Sequence, residues 1–324
     1  MSILTKKISQ RFSNYQKKLL TEMFIDYNLD YKNSVFLAGS GRSGTTWLSE
    51  VINYKNEYRY IFEPFWGKEV SECKEFNDRQ YIRPGNKEER FLKPTKAILY
   101  GKVRNKWTDK FNRRFISDRR LIKDIRANLF LRWLYETFPG IPIILIFRHP
   151  CAVASSGIKC KWEIELNKYL AQEELIEDFL SPFRAEIEKS QKLYESSGNN
   201  FENSIFNWCI ENYVPLKQFK SDEIYLAFYE NFSLNPEDEV KKLFTFLGKK
   251  YDENIFSVLK KPSALVQKQS AILSGGSLID SWKRYISDAQ IRRATEILSL
   301  FGLEKIYSQD SMPRIDNLSQ LMKT

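Results

Sequence analysis

A phosphate-binding loop that lacks a lysine is the first feature of this sequence that could do chemistry. Residues 39–47 read G-S-G-R-S-G-T-T-W after the apolar run 35–38, whereas a nucleotide-binding P-loop reads G-x-x-x-x-G-K-[ST]. Gly39 and Gly44 keep the spacing, but Thr45 takes the lysine position and Arg42 supplies the cation. Backbone N–H groups and a helix start at Thr45 would bind an anion without a metal. A tight turn without a ligand is the alternative.

A second anion site is expected where the most apolar run of the chain ends. Residues 141–147 read I-P-I-I-L-I-F, which is typical of a strand buried on both faces, and Arg148 follows directly. Ser156 lies eight residues farther on, in the predicted next helix, with Ser155 as the near alternative. An arginine and a hydroxyl at a helix start can bind one phosphate dianion together. The other interpretation is an arginine that caps the sheet and pairs with a carboxylate.

Apolar runs and helical repeats alternate along the chain, which indicates an α/β fold with a mostly parallel sheet. Strands are predicted at 35–38, 59–62, 121–124, 141–147 and 224–228, and helices at 45–53, 127–137, 163–197, 202–220 and 236–247. Residues 69–119 are polar and poorly periodic and are expected to cover a substrate site. Neither a repeat nor a linker divides the chain, so we expect one domain over residues 1–324.

The predicted sheet places several polar side chains at one edge. Ligands of such sheets bind at the carboxyl ends of the strands. Arg42, Lys123, Arg148 and Tyr229 all follow predicted strands at these ends. We therefore expect these four residues to surround one site.

The composition favours a negatively charged partner. The chain has 51 Lys and Arg against 41 Asp and Glu, a net charge of +10, which suits a nucleotide, an acidic glycan, nucleic acid or an anionic membrane surface. A general enrichment in lysine explains the same charge equally well. The four cysteines form no CxxC pair and have no histidine at metal spacing, so no metal site or disulfide framework is predicted.

The sequence also gives expectations about location. The first 18 residues lack the apolar core of a signal peptide, and no window of about 18 residues is free of charge. We therefore expect a soluble, cytoplasmic protein without a transmembrane segment. Ile3, Leu4, Ile8 and Phe12 mark one side of a basic amphipathic helix, which is expected to pack on the domain and also allows peripheral membrane contact.

Together the motifs resemble the PAPS-dependent sulfotransferases, whose loop of this kind binds the 5′-phosphosulfate of 3′-phosphoadenosine 5′-phosphosulfate (PAPS). Arginine at position 42, where the cytosolic enzymes have lysine, is similar to the carbohydrate-modifying branch. The resemblance covers nearly the whole chain and implies the sulfotransferase fold, an α/β fold with a P-loop-like central parallel sheet flanked by helices. It also implies PAPS as the cofactor, PAP as the product, and these cofactor-binding residues: Arg42, Ser43, Gly44, Thr45, Thr46, Trp47, Arg148, Ser156 and Tyr229.

Within that set, the resemblance gives several positions a role. Thr45, Thr46 and the loop amides would hold the 5′-phosphate, and Arg148 with Ser156 would hold the 3′-phosphate. Tyr229 begins a Tyr-Glu segment similar to the family's Y-E-[DN] motif and would lie near the adenine. For Tyr229 and for Trp47, which could stack on the base, packing in the core is the alternative.

The catalytic base cannot be carried over from the cytosolic enzymes, because their histidine has no counterpart here. The one histidine, His149, lies in the 3′-phosphate turn, and Ile125 stands at the matching position. A carboxylate should therefore take the proton of the acceptor hydroxyl. Glu63 lies in a Phe-Glu-Pro-Phe segment similar to that of the carbohydrate-modifying branch, and burial among aromatic side chains should raise its pKa. For Glu63 the alternative is an N-capping or salt-bridged glutamate, and Asp124 is the second candidate for the base.

Two cations, Arg42 and Lys123, are predicted to act on the charge of the leaving oxygen, electrostatically and without a metal. Residues 275–285 are similar to the late segment of the family, but the arginine-lysine-glycine run that holds the 3′-phosphate there is missing. Its replacement is left open among three cations: Lys268, Lys283 and Arg284.

The acceptor is predicted to be a carbohydrate or a small natural product with a hydroxyl or amine. A cationic acceptor would need acidic residues such as Glu69, Glu72 or Glu75 in the pocket. A P-loop kinase is the first competing function, but it needs the lysine that Thr45 replaces. A nucleic-acid-binding protein is the second, but it does not explain hydroxyls and cations at strand ends, so no nucleic-acid partner is predicted. The oligomeric state is left unassigned.

Overall fold

A five-stranded parallel sheet lies at the centre of the structure, a computed structural model that describes residues 23–260 and 279–322. The strands are, in chain order, β1 (Ile25–Asp26), β2 (Ser34–Gly39), β3 (Arg59–Phe62), β4 (Ile116–Ser117), β5 (Arg120–Asp124), β6 (Ile143–Phe147) and β7 (Tyr225–Phe228). The order across the sheet is β3-β5-β2-β6-β7, and each neighbouring pair is parallel. Strands β1 and β4 pair separately. The predicted N-terminal amphipathic helix and Lys268 lie outside the described residues.

Helices follow the strands. They are α1 (Thr45–Ile52), α2 (Glu89–Leu99), α3 (Leu131–Thr137), α4 (Pro150–Lys159), α5 (Asn167–Leu170), α6 (Glu173–Leu175), α7 (Arg184–Ser197), α8 (Phe201–Gln218), α9 (Tyr229–Leu234), α10 (Pro236–Phe246), α11 (Asn254–Leu259) and α12 (Asp288–Leu300). Shorter 3₁₀ turns occur at Tyr31–Asn33, Ser71–Cys73, Asn128–Phe130, Ser181–Phe183, Ser281–Arg284, Leu303–Lys305 and Ile315–Gln320, and a π turn at Ile176–Leu180.

The central sheet is buried on both faces. Successive side chains of a strand point to opposite faces, and those of β2 divide accordingly: Phe36 packs in one hydrophobic cluster, and Val35 and Leu37 pack in the other. Strand β6 divides in the same way, so that each of its five residues is buried. Helices therefore cover both faces, and the polar chemistry is confined to the strand ends. The predicted α/β fold with a P-loop-like central sheet is confirmed.

The predicted strands agree with the structure to within two residues, but two segments between them do not. The continuous helix predicted over 163–197 is wrong, because short turns precede α7 and Pro182 lies in the last of them. Proline has no N–H to donate in a helix interior. The segment 69–119, predicted to lack periodic structure, contains the helix α2. Its buried residues include Phe91, Ile98 and Leu99, which recur at helical spacing around Pro94.

Candidate active site

The loop between β2 and α1 has the backbone of an anion-binding turn. Arg42 and Gly44 have left-handed φ angles of 72° and 96°. A Cβ atom on Gly44 would lie 2.8 Å from Cδ2 of Tyr229, so the position requires glycine for both its φ and its space. The Ser43 N–H donates to the Ser40 carbonyl at 3.1 Å, whereas the buried Ser43 Oγ has no hydrogen-bond partner within the described residues. The Ser43 hydroxyl is thus a buried polar group of the loop without a partner among the described residues.

Two arginines, a serine and a tyrosine meet beside this loop, and we call them the arginine cluster: Arg42, Arg148, Ser156 and Tyr229. Arg42 Nε donates to Ser156 Oγ at 3.0 Å, and Arg148 donates to the Arg42 carbonyl at 3.2 Å. The Arg148 guanidinium lies 4.3 Å from the centre of the Tyr229 ring. Neither arginine forms an ion pair within 4 Å in the described part of the chain, so two positive charges remain for a ligand.

The threonines and the tryptophan that follow the loop belong to the start of α1. Thr45 and Thr46 are buried there. Trp47 is also buried, donates from Nε1 to the Leu259 carbonyl at 3.2 Å, and packs edge-on against Tyr229 at 5.4 Å between ring centres. Trp47 thus packs beside Tyr229 in the core, and its predicted contact with the base stays a prediction.

His149 connects the arginine cluster to the core. Its ring is fully buried, stacks on Trp282 at 4.3 Å, and its Nδ1 accepts the N–H of Cys151 at the start of α4. The Glu230 carboxylate accepts the backbone N–H of His149 at 2.8 Å. Burial lowers the pKa of His149 to about 4, so the imidazole is neutral at pH 7. His149 therefore serves as a neutral structural group that positions the turn after β6.

A buried carboxylate with two cations lies at the ends of β3 and β5, and we call it the glutamate cluster: Glu63, Lys123 and Arg126. Lys123 Nζ donates to Glu63 Oε1 at 2.5 Å, and Arg126 donates to Glu63 Oε2 at 2.8 Å. The register pairs Phe62 with Lys123 and Leu37 with Lys123, so the cluster lies beside the strand that leads into the loop. Sequence patterns predicted Glu63 and Lys123 for this edge.

The prediction that burial raises the pKa of Glu63 is wrong for the net direction. Burial alone raises this pKa. The charges and hydrogen bonds of Lys123 and Arg126 lower it by more than burial raises it, so the pKa lies below its ordinary value. Burial lowers the pKa of Lys123, and Glu63 opposes that change. Glu63 is therefore an ionised carboxylate at neutral pH, able to accept a proton only when its cations allow it.

The backbone holds Glu63 in an unusual conformation. Its φ is 43°, in the left-handed region that non-glycine residues rarely adopt. The Glu63 N–H donates to the Lys123 carbonyl at 2.7 Å, and the Glu63 carbonyl accepts from Trp107 Nε1 at 3.0 Å. Asp124, the second candidate base, accepts the N–H groups of Phe65 and Arg126 at 2.9 and 2.7 Å. Asp124 thus fixes the turn that presents Glu63.

Asp124 differs from Glu63 in its charge environment. It is fully buried, and burial raises its pKa to about 6. Both of its oxygens accept backbone N–H groups, one each. These hydrogen bonds hold the turn that carries Glu63, and Asp124 stays the second candidate for the base.

Arg126 is the member of the site that sequence patterns did not predict. It follows β5 by two residues, donates from Nε to Asp78 Oδ1 at 3.1 Å, and lies 4.6 Å from the Trp66 ring centre. Its position in the sequence could have identified it. A cation two residues beyond the end of a predicted strand is expected at the same edge of the sheet as Lys123. Asp78 comes from the irregular segment before α2, whose path no sequence pattern predicts.

The other predicted cations and carboxylates lie at the surface. Lys283 is exposed, lies 3.4 Å from Asp280 and is close enough to His149 to lower its pKa, and Arg284 is also exposed. Exposed carboxylates at the positions named for a cationic acceptor are Glu69, Glu72 and Glu75. In the described ranges, no group of three or more His, Cys, Asp and Glu residues is arranged to hold a metal ion. Within the same ranges, none of the helices has the length and apolar character needed to cross a membrane.

Comparison with known proteins assigns the chain to a class. Residues 32–307 match the protein family described as "Sulfotransferase domain". The chain therefore belongs to the sulfotransferase family. It is an enzyme of the PAPS-dependent type that the motifs predicted, and the competing kinase function is not favoured. No curated protein matches the sequence.

Solved structures with low sequence identity are also similar. The sulfotransferase domain of the curacin biosynthetic pathway is 14% identical, with 82% of this chain and 96% of that chain covered and a TM-score of 0.44. A mouse sulfotransferase complexed with PAP is 16% identical over 90% of both chains, with a TM-score of 0.43. Retinol dehydratase in complex with androsterone and the inactive cofactor PAP is 17% identical, with 83% and 80% covered and a TM-score of 0.39.

Proposed function

We propose that this sulfotransferase moves the sulfuryl group of PAPS to a hydroxyl of a carbohydrate or a small natural product, with Glu63 as the general base. The observation that supports this most strongly is that two unlike clusters lie at the carboxyl ends of neighbouring strands. The arginine cluster has cations without carboxylates, and the glutamate cluster has a carboxylate between two cations. The arginine cluster suits a ligand with phosphate groups, and the glutamate cluster suits proton transfer.

The residues around the loop fit a nucleotide that carries separate phosphates. Ser43 Oγ lacks a partner among the described residues, and Gly44 is the left-handed N-cap of α1, whose first N–H groups would be available to an anion. Here we assign the 5′-phosphosulfate to the loop with Thr45 and Thr46. Arg148 and Ser156 would hold the 3′-phosphate, and Arg42 would bridge the two sites because its guanidinium already contacts Ser156. Tyr229 would lie beside the adenine, within reach of Arg148.

The glutamate cluster would supply the chemistry of the acceptor. PAPS, when bound, provides a sulfuryl group whose leaving oxygen gains negative charge. The acceptor hydroxyl would give its proton to Glu63 as its oxygen forms a bond to sulfur, while the bond between sulfur and the 5′-phosphate oxygen breaks and PAP leaves with that oxygen and its negative charge. Lys123 Nζ lies 2.5 Å from Glu63 Oε1. When Glu63 takes the proton and becomes neutral, the Lys123 ammonium would stabilise the negative charge on the leaving oxygen instead. No metal is required for these steps.

Calorimetric titration with PAP in the absence of metal tests the donor site. PAP should bind the full chain, and Arg148→Ala should weaken it by about 10- to 100-fold, because a charge-assisted hydrogen bond contributes about 1.5–3 kcal/mol. Arg292→Ala is the matched control, since Arg292 is an exposed arginine of α12. Its PAP affinity should equal that of the unchanged protein.

Two results would contradict the proposal. One is equal PAP affinity of the Arg148→Ala and Arg292→Ala variants. The other is tight binding of ATP with magnesium together with no binding of PAP, which would favour the kinase. Circular dichroism of both variants shows whether Arg148→Ala has kept its fold.

A further inference from the structure

Lys110 is a cation near the glutamate cluster that the proposed mechanism does not use. Its ammonium lies 3.6 Å from the ring centre of Trp107, 3.9 Å from that of Phe62 and 5.0 Å from that of Phe111. Within residues 23–260 and 279–322 it forms no ion pair within 4 Å. Burial lowers the pKa of Lys110 to about 8, which leaves the side chain mostly charged at pH 7. Lys110 is thus a partly buried cation held by aromatic rings.

The rings that hold Lys110 also connect it to the glutamate cluster. Lys123 Nζ lies 4.4 Å from the centre of the same Phe62 ring, and Trp107 donates to the Glu63 carbonyl. Trp66 contacts Trp107 at 4.6 Å between ring centres and carries Arg126 at 4.6 Å. Lys110 is therefore connected through the rings of Phe62, Trp107 and Trp66 to the two cations that bind the carboxylate proposed as the base.

Lys110 differs from the two other cations of this region in its lack of a carboxylate partner among the described residues. Lys123 and Arg126 occupy the two oxygens of Glu63, and Arg126 also bonds Asp78. Glu63 and Glu69 are the carboxylates that act on Lys110, but neither lies within ion-pair distance of it. Glu69 is exposed, as are the other carboxylates that a cationic acceptor would need. Asp124 acts on Lys123 and Arg126 as a further carboxylate, so Lys110 is the one cation of these three that has no carboxylate within ion-pair distance among the described residues.

We propose that Lys110 is a specificity-determining residue that binds an anionic group, a carboxylate or sulfate, on the acceptor. The natural acceptor is then a hydroxyl compound with negative charge, and the partly buried rings of Trp66 and Trp107 lie beside the site. This inference rests on the proposed function, since it assumes that the acceptor hydroxyl reaches Glu63. A charge-assisted bond to Lys110 should make such an acceptor bind about tenfold or more tightly than its neutral counterpart.

Calorimetric binding of matched acceptor pairs to the PAP-saturated full chain tests this without turnover. One pair is 4-hydroxybenzoate and its methyl ester, and the other is a glucuronate-containing disaccharide and its carboxyl-reduced form. The acid of at least one pair should bind about tenfold or more tightly than its neutral partner. Which pair shows the preference distinguishes a small aromatic acid from an acidic carbohydrate.

Variants of two neighbouring lysines assign the preference to its residue. Lys110→Met keeps the apolar stem against the rings and should abolish the preference for the acid, whereas Lys110→Arg should keep it. Lys106→Met is the matched control, because Lys106 is an exposed lysine of the same turn. All three variants should bind PAP as the unchanged protein does, which also shows that they have folded.

Several results would overturn the inference. They are equal affinity for acid and neutral partners in both pairs, binding of neither pair to the PAP-saturated protein, and a preference that survives in Lys110→Met. Failure of PAP itself to bind the unchanged protein would instead remove the proposed function. The two failures are therefore distinguishable in one set of titrations.

Discussion

The two clusters of the active site differ in whether a carboxylate is paired with their cations. Arg42 and Arg148 contact a hydroxyl, a carbonyl and a tyrosine ring, without a carboxylate within 4 Å in the described residues. Lys123 and Arg126 are both bonded to Glu63. An uncompensated cation raises affinity for an anion, whereas a compensated one changes the pKa of its partner. This difference supports the proposal that the arginine cluster binds the donor and that the glutamate cluster takes the proton.

Removing the carboxylate charge of the glutamate cluster should separate these two tasks. Glu63→Gln keeps the shape of the side chain but not its ability to accept a proton. We expect kcat to fall by about 10²- to 10⁴-fold, the usual contribution of a general base. PAP affinity should be unchanged, because none of the described contacts of Glu63 is with the arginine cluster. Steady-state kinetics and calorimetry measure the two quantities.

Asp124→Asn is the counterpart of that experiment. Because Asp124 accepts two backbone N–H groups, its substitution should lower the free energy of unfolding more than it lowers kcat of the folded fraction. If Glu63→Gln kept its kcat while Asp124→Asn lost it, the base would be Asp124. The glutamate cluster would then be only structural.

A substitution of His149 tests whether the turn that carries Arg148 depends on a neutral imidazole. Its pKa of about 4 in the folded protein lies below the ordinary value of 6.5, so between these pH values the unfolded chain binds more protons. Stability should therefore be lost as the pH falls from 6.5 to 4, by on the order of 3 kcal/mol at 1.4 kcal/mol per pKa unit. His149→Asn, whose side chain can still accept the Cys151 N–H, should lack this loss.

Urea unfolding of both proteins between pH 7 and pH 4 measures the effect as a difference. Asp124 titrates in part of this window with the opposite sign, because its raised pKa makes the folded state bind more protons. That contribution is common to both proteins and cancels. Parallel pH dependence of the unchanged protein and His149→Asn would show that His149 does not become charged on unfolding.

The positions of the loop and of the arginine cluster could be predicted from short stretches of sequence. Gly44, Thr45 and the apolar strand before them define the loop within ten residues, and the structure begins α1 at Thr45 as predicted. Arg148 follows β6 directly, so its position at the sheet edge needs only the strand. These predictions depend on contacts close in sequence, which residue patterns encode well.

The glutamate cluster depends on contacts between residues that are far apart in sequence. Glu63 and Lys123 were predicted as members of one edge, but the pKa of Glu63 follows from a balance between burial and two charges that only the packed structure defines. Arg126, Asp78 and Lys110 come from segments without periodic patterns. The helix α2 was missed because Pro94 within it is typical of a helix break, yet its apolar residues pack on the core.

The smallest effect we expect concerns the cation that sequence patterns missed. Arg126→Met keeps an apolar contact with Trp66 but removes one of the two charges that lower the pKa of Glu63. The pKa of Glu63 should rise, so the acidic limb of kcat/KM, where the carboxylate becomes protonated, should move to higher pH. Arg126→Lys keeps the charge and should move it less. The pH dependence of kcat/KM measures the shift, which loss of packing alone would not produce. An unmoved limb in Arg126→Met, with PAP affinity intact, would mean that Lys123 alone sets the pKa of Glu63 and that Arg126 only supports the turn.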